Sequence, residues 1–193
     1  KGIPNPEIDI TEIRQRRLVC PTTTGGINWN SVGYSPDTNA LYAPTNNTCM
    51  DYYLNPVNPV VGGYHSSATS RKINLPDGDG QVGIFTAVDV ATGESIWTYQ
   101  QRAAITGSVL TTGGGLVFVT DDARRLRAFD ADTGEILWEQ ILNSSAGGFP
   151  TTYSVDGVQY IAIAAGGGIN HRTLTPDIRQ RSGGNMLFVF KLP

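Results

Sequence analysis

Short apolar runs alternate with polar breaks rich in Gly, Asn and Asp along the whole chain, and no long stretch keeps a helical period. Residues 31–34 and 41–43 bracket the turn Ser35-Pro36-Asp37-Thr38-Asn39, which predicts a hairpin. Residues 150–153 and 158–164 flank Asp156-Gly157, a strong hairpin signal between two apolar runs. Residues 108–110, 112–115 and 116–120 read as strand, turn and strand, and 185–192 as a final strand. Frequent Thr, Val, Ile, Tyr and Phe suit a pleated, half-buried surface. The pattern predicts an all-β chain.

One of these units repeats. Ala87-Val88-Asp89-Val90-Ala91-Thr92-Gly93-Glu94-Ser95-Ile96-Trp97 returns as Ala128-Phe129-Asp130-Ala131-Asp132-Thr133-Gly134-Glu135-Ile136-Leu137-Trp138, an offset of 41 residues. The aspartate can cap a turn through its side chain, and glycine supplies the reversal by taking positive φ. The strand that follows delivers a tryptophan to a repeated place, where it should pack between neighbouring units with its indole N–H bonded to backbone. Self-similarity at about 40–45 residues built from strands is the mark of a β-propeller blade. At this period the 193 residues make about three to four blades in a single domain spanning 1–193, either a ring at the small end of the known range or a partial propeller belonging to a larger ring. Residues 52–83 have many Pro and Gly and no clear period, and predict a long loop excursion beside one face.

Composition narrows the chemistry. Charged residues are 16% of the chain and the net charge is −3, with one dense cationic cluster at Arg14, Arg16 and Arg17. That argues for no nucleic-acid partner, since such proteins usually carry a basic stripe. The longest apolar runs are far too short to cross a bilayer as a helix. The first residue is Lys1 rather than Met, which suggests a processed product or a fragment. His65 and His171 have no His or Cys at metal-ligand spacing, and Asp77-Gly78-Asp79-Gly80 lacks the spaced acids of a calcium loop and reads as a polar turn. No nucleophile-elbow pattern is present, and the Asn46 and Asn143 triplets fit a glycosylation pattern that is common by chance. Ile13-Arg14-Gln15-Arg16 and Ile178-Arg179-Gln180-Arg181 look alike without a physical reason in the sequence. Cys20 and Cys49 either pair, implying export, or are two buried thiols.

The doubled Ala-x-Asp-x-x-Thr-Gly-x-x-x-Trp motif resembles the tryptophan-docking repeat of the pyrroloquinoline quinone (PQQ) dehydrogenases, an eight-bladed propeller family. The block from Cys20-Pro21 through Gly25-Gly26-Ile27-Asn28-Trp29-Asn30 to Cys49 resembles a late segment of their alcohol and methanol dehydrogenase branch. So do Gly148-Phe149-Pro150-Thr151-Thr152-Tyr153, the stretch from Asp156 to Gly168, and the closing Gly184-Asn185-Met186-Leu187-Phe188-Val189-Phe190-Lys191-Leu192-Pro193. The likeness covers nearly the whole chain in order.

The resemblance implies the C-terminal portion of a periplasmic, exported alcohol dehydrogenase with PQQ and a calcium or lanthanide ion as cofactors. The substrate would be an alcohol, the acceptor a cytochrome c-type protein, and the remaining blades or a second copy would be partners. Asn28 occupies the position of an asparagine that hydrogen-bonds the quinone, and Trp29 that of a residue at its rim. Thr106 stands where a cofactor-contacting tryptophan is common, and Gly168, Ile169 and Asn170 fall in a loop giving backbone contacts. Cys20 pairs with Cys49 by the same likeness and anchors this strand. The family's catalytic aspartate and metal-binding carboxylates lie upstream of these segments, so the metal would be bound mainly by residues outside this chain. A non-catalytic propeller scaffold of the cell envelope is the other reading.

Overall fold

The computed structural model describes residue 6 and residues 12–167, 171–181 and 183–192. Among them are fourteen strands, and no helix is long and apolar enough to cross a membrane. β1 (Arg17–Val19) precedes β2 (Gly33–Ser35) and β3 (Ala40–Asn46), which begin the first blade. β4 (Thr48–Leu54) and β5 (Ala68–Asn74) then leave it as a hairpin and pair with β1, in the order β1-β4-β5. β6 (Gly83–Asp89) and β7 (Ser95–Gln101) return to complete a four-stranded sheet, β2-β3-β6-β7. The second blade holds β8 (Leu110–Thr111), β9 (Leu116–Thr120), β10 (Arg125–Asp130) and β11 (Ile136–Ile141) in sequence order. The third holds β12 (Thr151–Val155), β13 (Val158–Ala165) and β14 (Met186–Lys191). All pairings are antiparallel, as in the blades of a propeller.

Several boundaries differ from the expected ones. The 52–83 segment contains β5, whose Ala68–Asn74 pairs residue by residue with Leu54–Thr48, so part of the excursion is sheet. β3 runs on through Pro44, where β2 has already ended and only β6 lies alongside, leaving room for a residue without an N–H. The strand expected at 108–110 is ordered as Leu110–Thr111.

Both repeats build the same turn. Asp89 Oδ1 accepts hydrogen bonds from the backbone N–H groups of Ala91 (2.7 Å) and Thr92 (2.9 Å), and Asp130 Oδ1 from those of Asp132 (3.0 Å) and Thr133 (2.8 Å). Gly93 and Gly134 follow at φ of 75° and 73°. A β-bulge falls at the same place in each unit, between Ala87 and Val88 and between Ala128 and Phe129.

Strands β9 and β10 of blade two are buried on both faces, and alternation along them divides the core in two. Val117, Val119 and Phe129 face blade one, joining Tyr42, Phe85, Ala87, Trp97 and Tyr99. Phe118, Leu126 and Ala128 face blade three, with Ile161, Ile163, Phe188 and Phe190. Trp97 from blade one crosses the boundary as expected: its indole N–H bonds Ala131 O at 3.0 Å, and its ring stacks on Phe129. Tyr42 donates its hydroxyl to the same carbonyl at 3.0 Å. A side chain on Gly134 would put Cβ 2.6 Å from the Trp97 ring, so glycine is required there for space as well as for its φ.

Trp138 behaves differently. It packs edge-on against Phe190, yet 38% of it is exposed and its indole N–H has no hydrogen bond among the described residues. The outer face of blade three also leaves Tyr153, Val155, Leu187 and Val189 exposed.

Replacing Trp97 by Ala should therefore cost about 3 kcal/mol in denaturant unfolding. Trp138→Ala should cost about 1–2 kcal/mol, because less area and no hydrogen bond are lost. Hydrogen bonds from Thr133 backbone and side chain hold the Asp130 carboxyl below the usual carboxylate range. The stabilisation from this depressed pKa is complete above the unfolded value of about 3.9 and is lost as pH falls through the lower folded value. Asp130→Asn should flatten the acid side of a stability-against-pH curve.

Candidate functional site

Each blade is entered on the same face through a segment leading into its inner strand: residues 24–30 before β2, Ile105-Thr106 before β8, and Gly147-Gly148 before β12. These three segments line one cavity of about 720 Å³, closed further by Ala164–Gly167, residues 185–187, Lys72 and His171. A cavity shared by several blade loops is a common place for a ligand in folds of this kind.

Hydrogen bonds pass from loop to loop around this face. The Asn30 side-chain amide donates to Thr106 O, and Ser31 N–H donates to Ser108 Oγ at 2.9 Å. Asn46 clamps the second entry segment, with Nδ2 donating to Ile105 O (2.8 Å) and Oδ1 accepting from Ile105 N–H (2.9 Å). Asn46 N–H also donates to Gly26 O at 2.7 Å, tying the first entry segment to the same residue. Thr106 N–H reaches Thr120 O at 3.2 Å, and Ser108 N–H reaches Gly148 O at 3.1 Å. Gly107 lies so close to β9 that an added Cβ would fall 1.9 Å from Thr120 Oγ1, so only glycine lets the turn sit down. Cys20 and Cys49 form a disulfide that fastens the start of the first entry segment to β4.

The expected site residues can now be placed. Asn28, Trp29 and Thr106 all line the cavity. Trp29 is 70% exposed, so it is no part of the core. Asn28 caps no turn: its amide makes no hydrogen bond with the described residues and is free to meet a ligand. Thr106 Oγ1 donates to Ala146 O at 3.3 Å, which fixes its rotamer at the wall. Gly168, Ile169 and Asn170 lie outside the described residues. Gly166 and Gly167 just before them are positioned by N–H bonds to Ser145 O, at 3.0 and 3.2 Å.

Two polar residues of the cavity escaped sequence reasoning. Lys72 arrives from β5, the strand inside the supposed loop excursion, and its ammonium has no hydrogen bond or ion pair among the described residues. Burial lowers its pKa, and the charge of Asp122 opposes that shift. His171 Nδ1 donates to Asp122 Oδ2 at 3.0 Å, with Asp122 fully buried behind it, leaving Nε2 unbonded. The two partners are 49 residues apart, so no local motif announces the pair. The pairing of a Tyr-rich β4 with the Thr- and Ile-containing β5 was the signal available for Lys72.

The residues present fit a flat, polyanionic cofactor on three counts. The volume suits a drug-sized ring system. The unpaired Lys72 ammonium offers a counter-charge, and Asn28 an uncommitted donor and acceptor. A Cβ built on Gly26 would meet nothing within 4 Å, so that backbone faces open space. No group of three or more His, Cys, Asp or Glu residues that could hold a metal ion occurs among the described residues.

The fold and cavity define the class: a portion of a tryptophan-docked β-propeller with a ligand cavity at the entries to its inner strands. Comparison with known proteins narrows it. The PQQ family described as "Glucose/ethanol/alcohol dehydrogenase, beta-propeller domain" matches residues 101–161. The chain is 38% identical over 183 residues to 1-butanol dehydrogenase (quinone) of Thauera butanivorans, covering 91% of this chain and 28% of that protein. It is 34% identical over 154 residues to methanol dehydrogenase [cytochrome c] subunit 1 of Methylobacterium organophilum, covering 78% and 25%. The solved structure of a europium-containing methanol dehydrogenase superposes with a TM-score of 0.85 at 26% identity, over 98% of this chain and 37% of that one. On sequence and fold together, the chain is placed with the PQQ-dependent alcohol and methanol dehydrogenases, as a portion of their propeller. It spans between a quarter and two fifths of the relatives' length.

Converting both Cys20 and Cys49 to Ser should lower stability by about 3–4 kcal/mol through the loop of 29 residues it releases. Faster hydrogen exchange confined to residues 20–30 would locate the loosening at the first entry segment, whereas uniform loss of protection would contradict this anchoring role.

Proposed function

We propose that this chain is the part of a PQQ-dependent alcohol dehydrogenase that forms one side of the cofactor cavity. The observation that carries the reading is the convergence of three inner-strand entry segments on one cavity that holds an unpaired amide, Asn28, and an unpaired ammonium, Lys72. PQQ, when bound, supplies the two-electron redox chemistry that takes hydride from an alcohol carbon.

The chain's own residues bind and orient. Asn28 would donate a hydrogen bond to the bound quinone, and Lys72 would offer a positive charge to its anionic groups. Trp29 covers the rim and excludes water from one side. Thr106, held by Ala146 O, forms the floor where a larger residue could stand. Gly168, Ile169 and Asn170, which lie outside the described residues, are proposed as backbone contacts to the cofactor through the family resemblance alone. Calcium or a lanthanide, together with the aspartate that takes the alcohol proton, is contributed from outside this chain. A cytochrome c-type protein accepts the electrons, the exposed apolar face of blade three meets a further blade, and the protein works in the periplasm. The disulfide is in keeping with that compartment.

The test joins this chain to its natural upstream sequence and loads it with PQQ and either calcium or lanthanum. Alcohol-dependent dye reduction is expected, and its absence with both metals would sink the enzyme reading. Asn28→Ala should weaken PQQ binding at least tenfold in a spectroscopic titration. Unchanged binding would remove Asn28 from the site while leaving the enzyme reading standing.

A further inference from the structure

A second cavity, of about 440 Å³, opens on the outer side of the same connection between blades one and two. Its wall includes five arginines, Arg102, Arg124, Arg125, Arg127 and Arg179. Three of them are already committed to carboxylates. Arg127 bonds Asp121 and Glu139, both at 2.7 Å, and Arg125 shares Glu139 at 2.9 Å. Arg102 pairs with Asp177 at 2.9 Å and bonds the carbonyls of Gly80 and Leu174.

Among the described residues, Arg124 and Arg179 have no carboxylate partner. The Arg124 side chain makes one hydrogen bond among the described residues, from a terminal nitrogen to Leu142 O at 3.2 Å, while its Nε is buried and unpartnered. A buried N–H without an acceptor is uncommon in folded proteins and asks for an explanation. Its backbone sits at φ 68°, a left-handed position that few non-glycine residues adopt. The Asp121 turn holds it there: Asp121 O accepts from Arg124 N–H (3.1 Å), and Asp121 Oδ1 from Arg125 N–H (2.9 Å).

The Ile178-Arg179-Gln180-Arg181 motif supplies the rest. Gln180 turns inward and donates to Thr175 Oγ1 at 2.6 Å, and the arginines on either side are exposed. Burial, and then the charges of Arg181, Arg179 and Arg125, lower the Arg124 pKa, so these guanidiniums feel one another. Like charges brought together without a counter-ion are unfavourable until an anion sits between them.

We propose that Arg124 and Arg179, with the neighbouring Arg181 adding its charge from outside the cavity lining, form a binding site for a small oxyanion, such as inorganic phosphate or a carboxylate. The planar forks of the arginines suit a group with two or more oxygens. The open cavity admits a free ion or the acidic end of a small molecule. The site shares no lining residue with the cofactor cavity and does not rest on the enzyme reading.

Calorimetric titration of the full-length protein with inorganic phosphate, and separately with succinate, tests this at constant ionic strength set by chloride. Saturable binding of phosphate is expected, weakened at least tenfold by the double substitution Arg179→Ala with Arg181→Ala. Both residues are exposed, so the variant should keep its unfolding midpoint in chloride alone. The twin motif gives the control: Arg14→Ala with Arg16→Ala removes the same charge elsewhere and should leave binding unchanged. Succinate binding alone, with the same dependence on Arg179 and Arg181, would support the site and identify a carboxylate as its ligand. No binding of either anion beyond chloride, or equal weakening by both double variants, would overturn the proposal.

Discussion

The carbonyl of Ala131 receives two donors from the neighbouring blade, the Trp97 indole and the Tyr42 hydroxyl, each at 3.0 Å. A backbone carbonyl has two lone pairs, and here both are spent across one blade boundary. The surrounding rings, Phe85, Phe129 and Tyr99, exclude water from that pair of bonds. Everything on the cavity face depends on this packing, because it sets the distance between the inner strands that the entry segments must bridge. Asn30 to Thr106 and Asn46 to Ile105 are bonds that close only when blades one and two hold that spacing.

From that boundary the order passes inward to the site. The entry segments carry little regular structure of their own, so side-chain amides and hydroxyls satisfy their backbone groups. The disulfide and Asn46 hold the first segment from two sides, which leaves Asn28 and Trp29 as its presented residues. A loop fixed at several points can keep an amide uncommitted without collapsing onto it. Preorganisation of this kind limits the entropy lost when a ligand is bound.

How far the sequence foretells this depends on whether the relevant physics is local. The Asp-x-x-Thr-Gly turns are local, so the repeat predicts both blades, their capped turns and the docking of Trp97, though not the bulges beside those turns. It overstates Trp138, which packs on Phe190 but makes no indole hydrogen bond among the described residues. Asn28, Trp29 and Thr106 were identified through a family resemblance, and the fold brings them to one cavity. Lys72 was lost because Pro and Gly around it mask a strand whose pairing partner, β4, is itself an insertion. His171 and Asp122 meet only through the tertiary fold, and a lone histidine in a loop carries no trace of a distant carboxylate.

The β4–β5 hairpin leaves blade one at Asn46 and rejoins it at Gly83, and these two residues are themselves paired in the ladder. The blade therefore closes over the insertion as if it were absent. Such an arrangement is a cassette: its length and composition can drift without disturbing the register of the propeller, in the way surface insertions are usually tolerated. Because the cassette carries Lys72 and one half of the disulfide, the charge of the cavity and the tethering of its first loop form a unit that can be exchanged independently of the blades that support them.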